Sequence, residues 1–438
     1  MPLRRLLAAS CVCVLAVTLV ACGPATTLGS GAIAAASAAA STAADNVVVS
    51  AGVNPAHPPA GTLPGVFAET TPPVSEPTPS GDLAPGAASA VLMDAASGQV
   101  LWAKNPNARR PAASVTKLMT MAIVLDSVSS GRVRWNDLVS ASEQAVRTGG
   151  AQIWLELGET MSLRDLFYAV AVQSANDAAV ALGEYVGGTL PHFLSLMNAK
   201  ARLLGMRDTV YTDPNGLDDT TQYSSAYDIA LLSRYLVTAH PNVLKYTSTW
   251  EYRLRGNKLW LVNRNKLLHR LAGVDGLKTG FTSKAGYCLS ATARRGNTRL
   301  IAVVLGDPTG PARFADTASM LQWGFSHYTT VPVADVGRAV AQVAVDGGRV
   351  PHVRVVPAQS FGVTVPRGRE KSVTTKVELP SMLAAPLAAR QKVGQITAFV
   401  DGRAVAEVPL VADHVVGRVG GLRLWMRLWG RMWPWMRS

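Results

Sequence analysis

Cysteine is scarce and misplaced for a disulfide scaffold. The 438 residues hold four, and Cys11, Cys13 and Cys22 fall within the first 22. Only Cys288 lies in the body, so no intrachain disulfide is available there. There is no CxxC pair, and the seven histidines are scattered without HExxH or similar spacing. That excludes the usual transition-metal motifs, so no metal site and no cofactor are expected. Long apolar runs are missing too: the stretch 6–21 has 16 residues, short of the roughly 20 that span a bilayer. Charged residues make up only 16%, against 48% hydrophobic, too apolar for a chain disordered throughout. Acid is the scarcer charge: 42 Lys and Arg face 29 Asp and Glu, a net charge of +13. A basic body suits anionic surroundings, such as a polyanionic cell wall or acidic lipid, with nucleic acid as the other reading. At roughly 100–200 residues per domain, the length allows two or three.

The two ends differ from the body. Arg4 and Arg5 precede the apolar run, the pattern of a secretory signal peptide. The run closes on Leu19-Val20-Ala21-Cys22, which resembles a bacterial lipobox and implies a lipid-modified Cys22 as the new N-terminus. The alternative is a simple signal peptide in which Cys22 is incidental. Export conflicts with the nucleic-acid reading, so no nucleic-acid partner is expected. Residues 23–85 have no Lys or Arg, few large side chains, and repeated Pro, as in Thr70-Thr71-Pro72-Pro73. They read as a tether holding the folded part away from a membrane. In the tail, 417–438, Arg423, Arg427 and Arg431 recur every four residues, with Trp425, Trp429 and Trp433 on a neighbouring stripe. An in-plane amphipathic helix on an anionic membrane surface is expected, the alternative being a helix packed on the body.

Within the body, short, largely apolar runs at 90–93 and 99–104 flank Ala95-Ala96-Ser97-Gly98, a β-hairpin pattern. Residues 117–128 are mostly apolar with no Gly or Pro, which predicts a buried helix. Further helices are expected over 163–172, 177–186 and 191–204, the last stopped by Gly205. Ser225, with Asp228 three residues on, starts another through 239 like a capping box. Strands follow over 250–255, 258–262, 274–281, 287–293 and 299–305, then a helix over 314–327. Strands at both ends of 86–330 with helices between imply an α+β domain with a mostly antiparallel sheet. Residues 331–416 hold short β-rich runs, such as 353–356, 373–378 and 404–411, between Gly, Pro and Asp turns. They predict a small β-sandwich domain with no cluster of catalytic groups.

Three short motifs occur in order: Ser114-Val115-Thr116-Lys117, Ser174-Ala175-Asn176 and Lys278-Thr279-Gly280. Each alone is weak; a chain this long holds roughly one S-x-x-K by accident. Together, in order and in suitable settings, they are hard to obtain by chance. Positions i and i+3 share a helix face, so Lys117 can reach the Ser114 hydroxyl. That hydroxyl is a poor nucleophile until a neighbour takes its proton. A neutral Lys117 could do so, and burial or the charge of Lys278 could keep it neutral. Ser174 can relay a proton to a leaving group, and Asn176 can hold a substrate amide or Lys117. Both are also ordinary helix caps. Lys278 and Thr279 offer a cation and a hydroxyl to a carboxylate. Gly280 admits a close substrate backbone on the strand edge. The amides of Phe281 and Ser114 are the expected oxyanion donors. The plain readings are a surface Ser–Lys pair and a strand-end Lys beside a turn Gly. Cys288, alone in an apolar strand, reads as core.

These motifs belong to penicillin-binding proteins and class A β-lactamases. The wider segments are Pro111-Ala112-Ala113-Ser114-Val115-Thr116-Lys117-Leu118-Met119-Thr120 and Val274-Asp275-Gly276-Leu277-Lys278-Thr279-Gly280-Phe281-Thr282, running into Lys284-Ala285-Gly286-Tyr287-Cys288-Leu289. With them, residues 86–416 resemble the low-molecular-mass penicillin-binding proteins that are D-alanyl-D-alanine carboxypeptidases. The resemblance implies a β-lactamase/transpeptidase-like fold followed by a small β-rich domain, and a membrane-anchoring tail. It also implies removal of the terminal D-alanine from peptidoglycan stem peptides through an acyl-enzyme on Ser114, and inhibition by β-lactams at the same serine. Arg264 and Arg313 match family positions near the substrate carboxylate. The lipobox and long tether are not general in that family. A class A β-lactamase would also need a carboxylate for deacylation, usually in Glu-x-x-Leu-Asn. Neither Glu184 nor Glu251 starts that pattern. A non-catalytic wall-binding lipoprotein is the other alternative, against which the three intact motifs argue.

Overall fold

The computed structural model describes residues 79–217 and 220–420. The signal-like segment, Cys22, the tether up to residue 78 and the tail from 421 lie outside the described residues. Among the described residues, no helix is long and apolar enough to cross a membrane.

A five-stranded antiparallel sheet organises the first region. Its strands are β1 (Ser89–Asp94), β2 (Val100–Lys104), β3 (Val274–Thr282), β4 (Gly286–Arg295) and β5 (Thr298–Asp307), in the order β2-β1-β5-β4-β3. The hairpin at the start thus pairs with a strand formed late in the chain, Val91 opposite Val303. Both faces are covered. Val91, Met93, Ile301, Val303 and Leu305 join a helical core on one side. Ala90, Leu92, Leu300, Ala302 and Val304 meet Met320, Leu321 and Trp323 on the other. Strands buried on both faces lose polar alternation, which is why 300–305 reads as an unbroken apolar run.

The main helices are α1 (Lys117–Ser129), α2 (Asn176–Gly187), α3 (Leu190–Leu203), α4 (Ala226–Ala239) and α5 (Gly310–His327). In α1 every residue from Lys117 to Leu125 is buried, as an apolar circumference requires. Ser225 caps α4, its hydroxyl accepting from the Asp228 amide at 3.1 Å. Thr309 does the same for α5 through Ala312, each cap stabilising by about 1 kcal/mol. The single helix expected over 163–172 is interrupted. It is α-helical over Leu163–Tyr168, widens to a π turn over Ala169–Gln173, and stops at Ser174 in the left-handed region at φ +68°. The Ser174 amide bonds back five residues to the Ala169 carbonyl, and the next residues start α2.

A strand follows α5 without a linker. The strands are β6 (Tyr328–Ala334), β7 (Ala341–Asp346), β8 (His352–Pro357), β9 (Phe361–Pro366), β10 (Val373–Glu378), β11 (Met382–Ala384), β12 (Lys392–Val400) and β13 (Arg403–Ala412). Six form one sheet, ordered β10-β12-β13-β8-β7-β11, and β6 pairs with β9 in a second. Val363 and Val365 of β9 pack with Ala398 and Ala406 of the larger sheet. The two sheets therefore share an apolar interior, in an α+β chain that ends in a β-rich region.

Candidate active site

Ser114 lies in a 3-10 turn, Ala113–Thr116, that runs directly into α1. The turn sets Lys117 Nζ 2.9 Å from Ser114 Oγ. Nζ also donates to Asn176 Oδ1 and to the Asn215 carbonyl, each at 2.6 Å. Lys117 has no exposed surface. Burial brings its pKa down to about 7, while the charges of Asp213 and Asp177 act to hold it up. A lysine titrating there is partly neutral at physiological pH and can accept a hydroxyl proton. Burial, rather than the charge of Lys278, is what lowers it. Lys278 is itself buried and pushed well below its ordinary value, first by burial and then by the charges of Lys117, Arg313 and Arg264.

Ser174 and Asn176 are both buried. The residue before the first turn of α2 is Ala175, whose side chain makes no capping bond. Neither Ser174 nor Asn176 is therefore the N-cap of α2, and Ser174 instead ends the π turn. Asn176 instead spans the site: Oδ1 takes the bond from Lys117, and Nδ2 donates to the Gly149 carbonyl at 2.7 Å.

The third motif lies on β3, facing the 3-10 turn. A Cβ at Gly280 would stand 2.9 Å from the Ala112 carbonyl and 3.1 Å from the Ser114 amide nitrogen. Turn and strand thus touch at Gly280, beside the Ser114 and Phe281 amides. Lys278 and Thr279 are buried, and Lys278 Nζ donates to the Thr279 carbonyl at 2.7 Å. The Phe281 ring is exposed and packs on Tyr287, with centroids 4.2 Å apart. Arg313 is buried, and its Nη1 donates to the carbonyls of Gly280 at 2.8 Å and Cys288 at 3.3 Å. Part of that guanidinium therefore braces the β3–β4 pair. Arg264 is exposed, close enough to help depress Lys278 and Arg313. Cys288 sits opposite Gly280 with its thiol pushed up to about 11 by burial, which suits a core residue.

Two parts of the site were not read from the sequence. The first is Asp213-Pro214-Asn215-Gly216. Its Asn215 carbonyl holds Lys117, and Thr120 Oγ1 donates to the Pro214 carbonyl. Gly216 has φ +80°, and a Cβ there would lie 1.8 Å from the Ala113 carbonyl oxygen, so the close approach requires glycine. The signal was present, since Asp, Pro, Asn and Gly together are turn chemistry. The second is Asp177, fully buried, whose carboxylate accepts from the Ile153 amide at 3.0 Å and the Leu155 amide at 3.1 Å. The Asn176 amide donates to the Ala151 carbonyl at 2.6 Å. Loop 149–155 is thereby fastened to the start of α2. Nothing local in the sequence announces that wall. Among the described residues there is no group of three or more His, Cys, Asp or Glu able to hold a metal.

A family model described as D-alanyl-D-alanine carboxypeptidase matches residues 75–309. A second, described as the C-terminal domain of penicillin-binding protein 5, matches 328–418. The chain is 37% identical over 343 residues to the D-alanyl-D-alanine carboxypeptidase DacF of Bacillus subtilis, covering 77% of this chain and 88% of that relative. Among solved structures, penicillin-binding protein 5 from Haemophilus influenzae is similar with a TM-score of 0.63 and 36% identity, over 78% of this chain and 99% of that one. Penicillin-binding protein D2 from Listeria monocytogenes, solved in an ampicillin-bound form, is similar with a TM-score of 0.51 and 35% identity, over 55% of this chain and 98% of that one.

Proposed function

The chain belongs to the D-alanyl-D-alanine carboxypeptidase family, a family of serine peptidases, and from that premise we propose that it trims peptidoglycan stem peptides through an acyl-enzyme on Ser114. The observation that carries the reading is the buried Lys117 amine, 2.9 Å from Ser114 Oγ and titrating near 7. Ser114 Oγ attacks the carbonyl of the penultimate D-alanine while its proton passes to Lys117. The developing oxyanion is met by the Ser114 and Phe281 amides. The C–N bond then breaks, and the proton travels through Ser174 to the departing D-alanine nitrogen. Water cleaves the ester and restores Ser114. Asn176 holds Lys117 in register. Lys278, Thr279 and Gly280, with Arg264 and Arg313, receive the terminal carboxylate of the substrate.

The same serine opens the penicillin ring, a reading supported by the ampicillin-bound relative. Residues 86–330 form the catalytic domain and 331–416 the small β-rich one. The work is done outside the cytoplasm in cell-wall biogenesis, with the lipid on Cys22 and the Arg/Trp tail as anchors to an anionic membrane. No cofactor and no nucleic acid take part.

Intact mass, followed over time with penicillin beside Ser114→Ala, tests the core of this. A long-lived adduct on the wild type alone, with D-alanine release from a stem peptide, is the expected result. Fast drug turnover without a lasting adduct would mark a β-lactamase. No adduct and no turnover in folded protein would mark a wall-binding lipoprotein.

A further inference from the structure

The described residues include two tryptophans that are more than half exposed. The Trp260 ring lies under the Arg253 guanidinium, 5.3 Å away. Trp154 is 64% exposed, and among the described residues no ring or cation stacks on it. Its exposure is built, not slack. The backbone at Trp154 is left-handed, φ +54°, a conformation a bulky side chain adopts only where its surroundings impose it. Those surroundings are specific. The buried Asp177 carboxylate takes the amides on either side, Ile153 and Leu155. From the other direction, the Arg255 guanidinium donates to the carbonyls of Ile153 at 2.8 Å and Trp154 at 3.0 Å. Arg255 is in turn held by both oxygens of Glu159. The backbone is clamped from two sides while the indole is turned out to solvent. A large rigid aromatic needs little ordering when it meets a ligand.

The clamp is continuous with the candidate site. Asp177 follows Asn176, which touches Lys117, and the Asn176 amide holds the Ala151 carbonyl. Ala151 to Trp154 is three residues, at most about 10 Å of chain. A substrate peptide covers the same distance in about three residues. We propose that Trp154 is a specificity-determining contact for the stem-peptide residues that precede the scissile bond, its indole face packing on their aliphatic atoms. The inference rests on the carboxypeptidase reading. The sugar that carries the stem lies beyond this reach.

The test is kcat/KM for D-alanine release by the whole protein on three substrates. They are an acylated D-Ala-D-Ala dipeptide, the full stem pentapeptide, and the pentapeptide joined to its disaccharide. The wild type gains in kcat/KM from the first to the second. Trp154→Ala loses about tenfold of that gain, the effect of removing one aromatic anchor, chiefly through KM, and Trp154→Phe keeps most of it. Leu203→Ala, at another exposed apolar side chain, retains the gain and controls for surface truncation. A Trp154→Ala protein with the full gain would overturn the inference. So would an equal loss on all three substrates, or a loss seen only when the disaccharide is added. If the wild type releases no D-alanine from any substrate, the carboxypeptidase reading itself fails, a result separate from all of these.

Discussion

The regions before and after residue 328 bury different things. Among the described residues, the first hides Lys117, Lys278, Arg234, Arg313, Asp94, Asp177, Asp228, Asp307 and Asp316 from solvent. In the second, the buried polar side chains are Thr330, Thr364 and Thr397, and none is charged. Its interior is made of Val343, Val353, Val355, Ile396, Val408 and Leu410. Burying a charge opposes folding unless it is paired or neutralised, so a region that does so repeatedly is spending stability on something else. Lys117 makes the point: burial lowers its pKa to about 7 beside the Ser114 hydroxyl, and perturbed groups of this kind gather where chemistry is done. The β-rich region has the interior of a scaffold.

The contrast is broken most directly at Ser114. Ser114→Ala is expected to lower D-alanine release on the order of 10⁴-fold or more and to abolish the penicillin adduct, read by intact mass. Lys117→Arg comes next, since a guanidinium stays charged and cannot accept the proton. Acylation should fall roughly 10³-fold, measured by stopped-flow with a chromogenic β-lactam. The pH profile of the wild type sharpens the same point. In the proposed mechanism the active form of Lys117 is the neutral one, which is lost as pH drops through about 7. The acylation rate should therefore rise with pH to a plateau, falling about tenfold per unit on the acid side.

Asp177→Asn is a smaller change with two readouts. Asp177 holds the Lys117 pKa up, so removing its charge should move the acid limb to lower pH. The weakened clamp on Ile153 and Leu155 should cost roughly 1–3 kcal/mol of stability, seen in denaturant unfolding. Least activity should be lost in the second region. Leu410→Ala, at a fully buried position, should destabilise by about 2–5 kcal/mol. It should leave kcat/KM per folded molecule within about twofold, as distant sites act independently. A large drop in kcat/KM there would mean that the two regions share the chemistry after all.

Legibility followed the same division of causes. The hairpin β1–β2, helix α1 and the capped start of α4 were readable because short-range rules decide them: turn residues, apolar periodicity, and a serine three positions before the amide it caps. The pairing of Ser114 with Lys117 was readable for the same reason, since i and i+3 face each other in any helical turn. The π turn before Ser174 was not, because 163–172 has the composition of an ordinary helix. Its widening shows only in the bond from Ser174 back to Ala169.

The residues that complete the site come from distant parts of the chain. Asn176 and Asn215 meet Lys117 from 59 and 98 positions away, and Arg313 reaches Gly280 from 33. By itself, the sequence determined the main helices and strands, the mostly antiparallel α+β class and the three motifs. Only the tertiary structure decided that Lys117 is dry enough to titrate near 7, that Arg313 braces the β3–β4 pair, and that Asp177 clamps the loop carrying Trp154. The reason is physical: local geometry follows from a few neighbouring dihedrals and side chains. Burial, and the electrostatics that burial creates, exist only once remote segments have packed together.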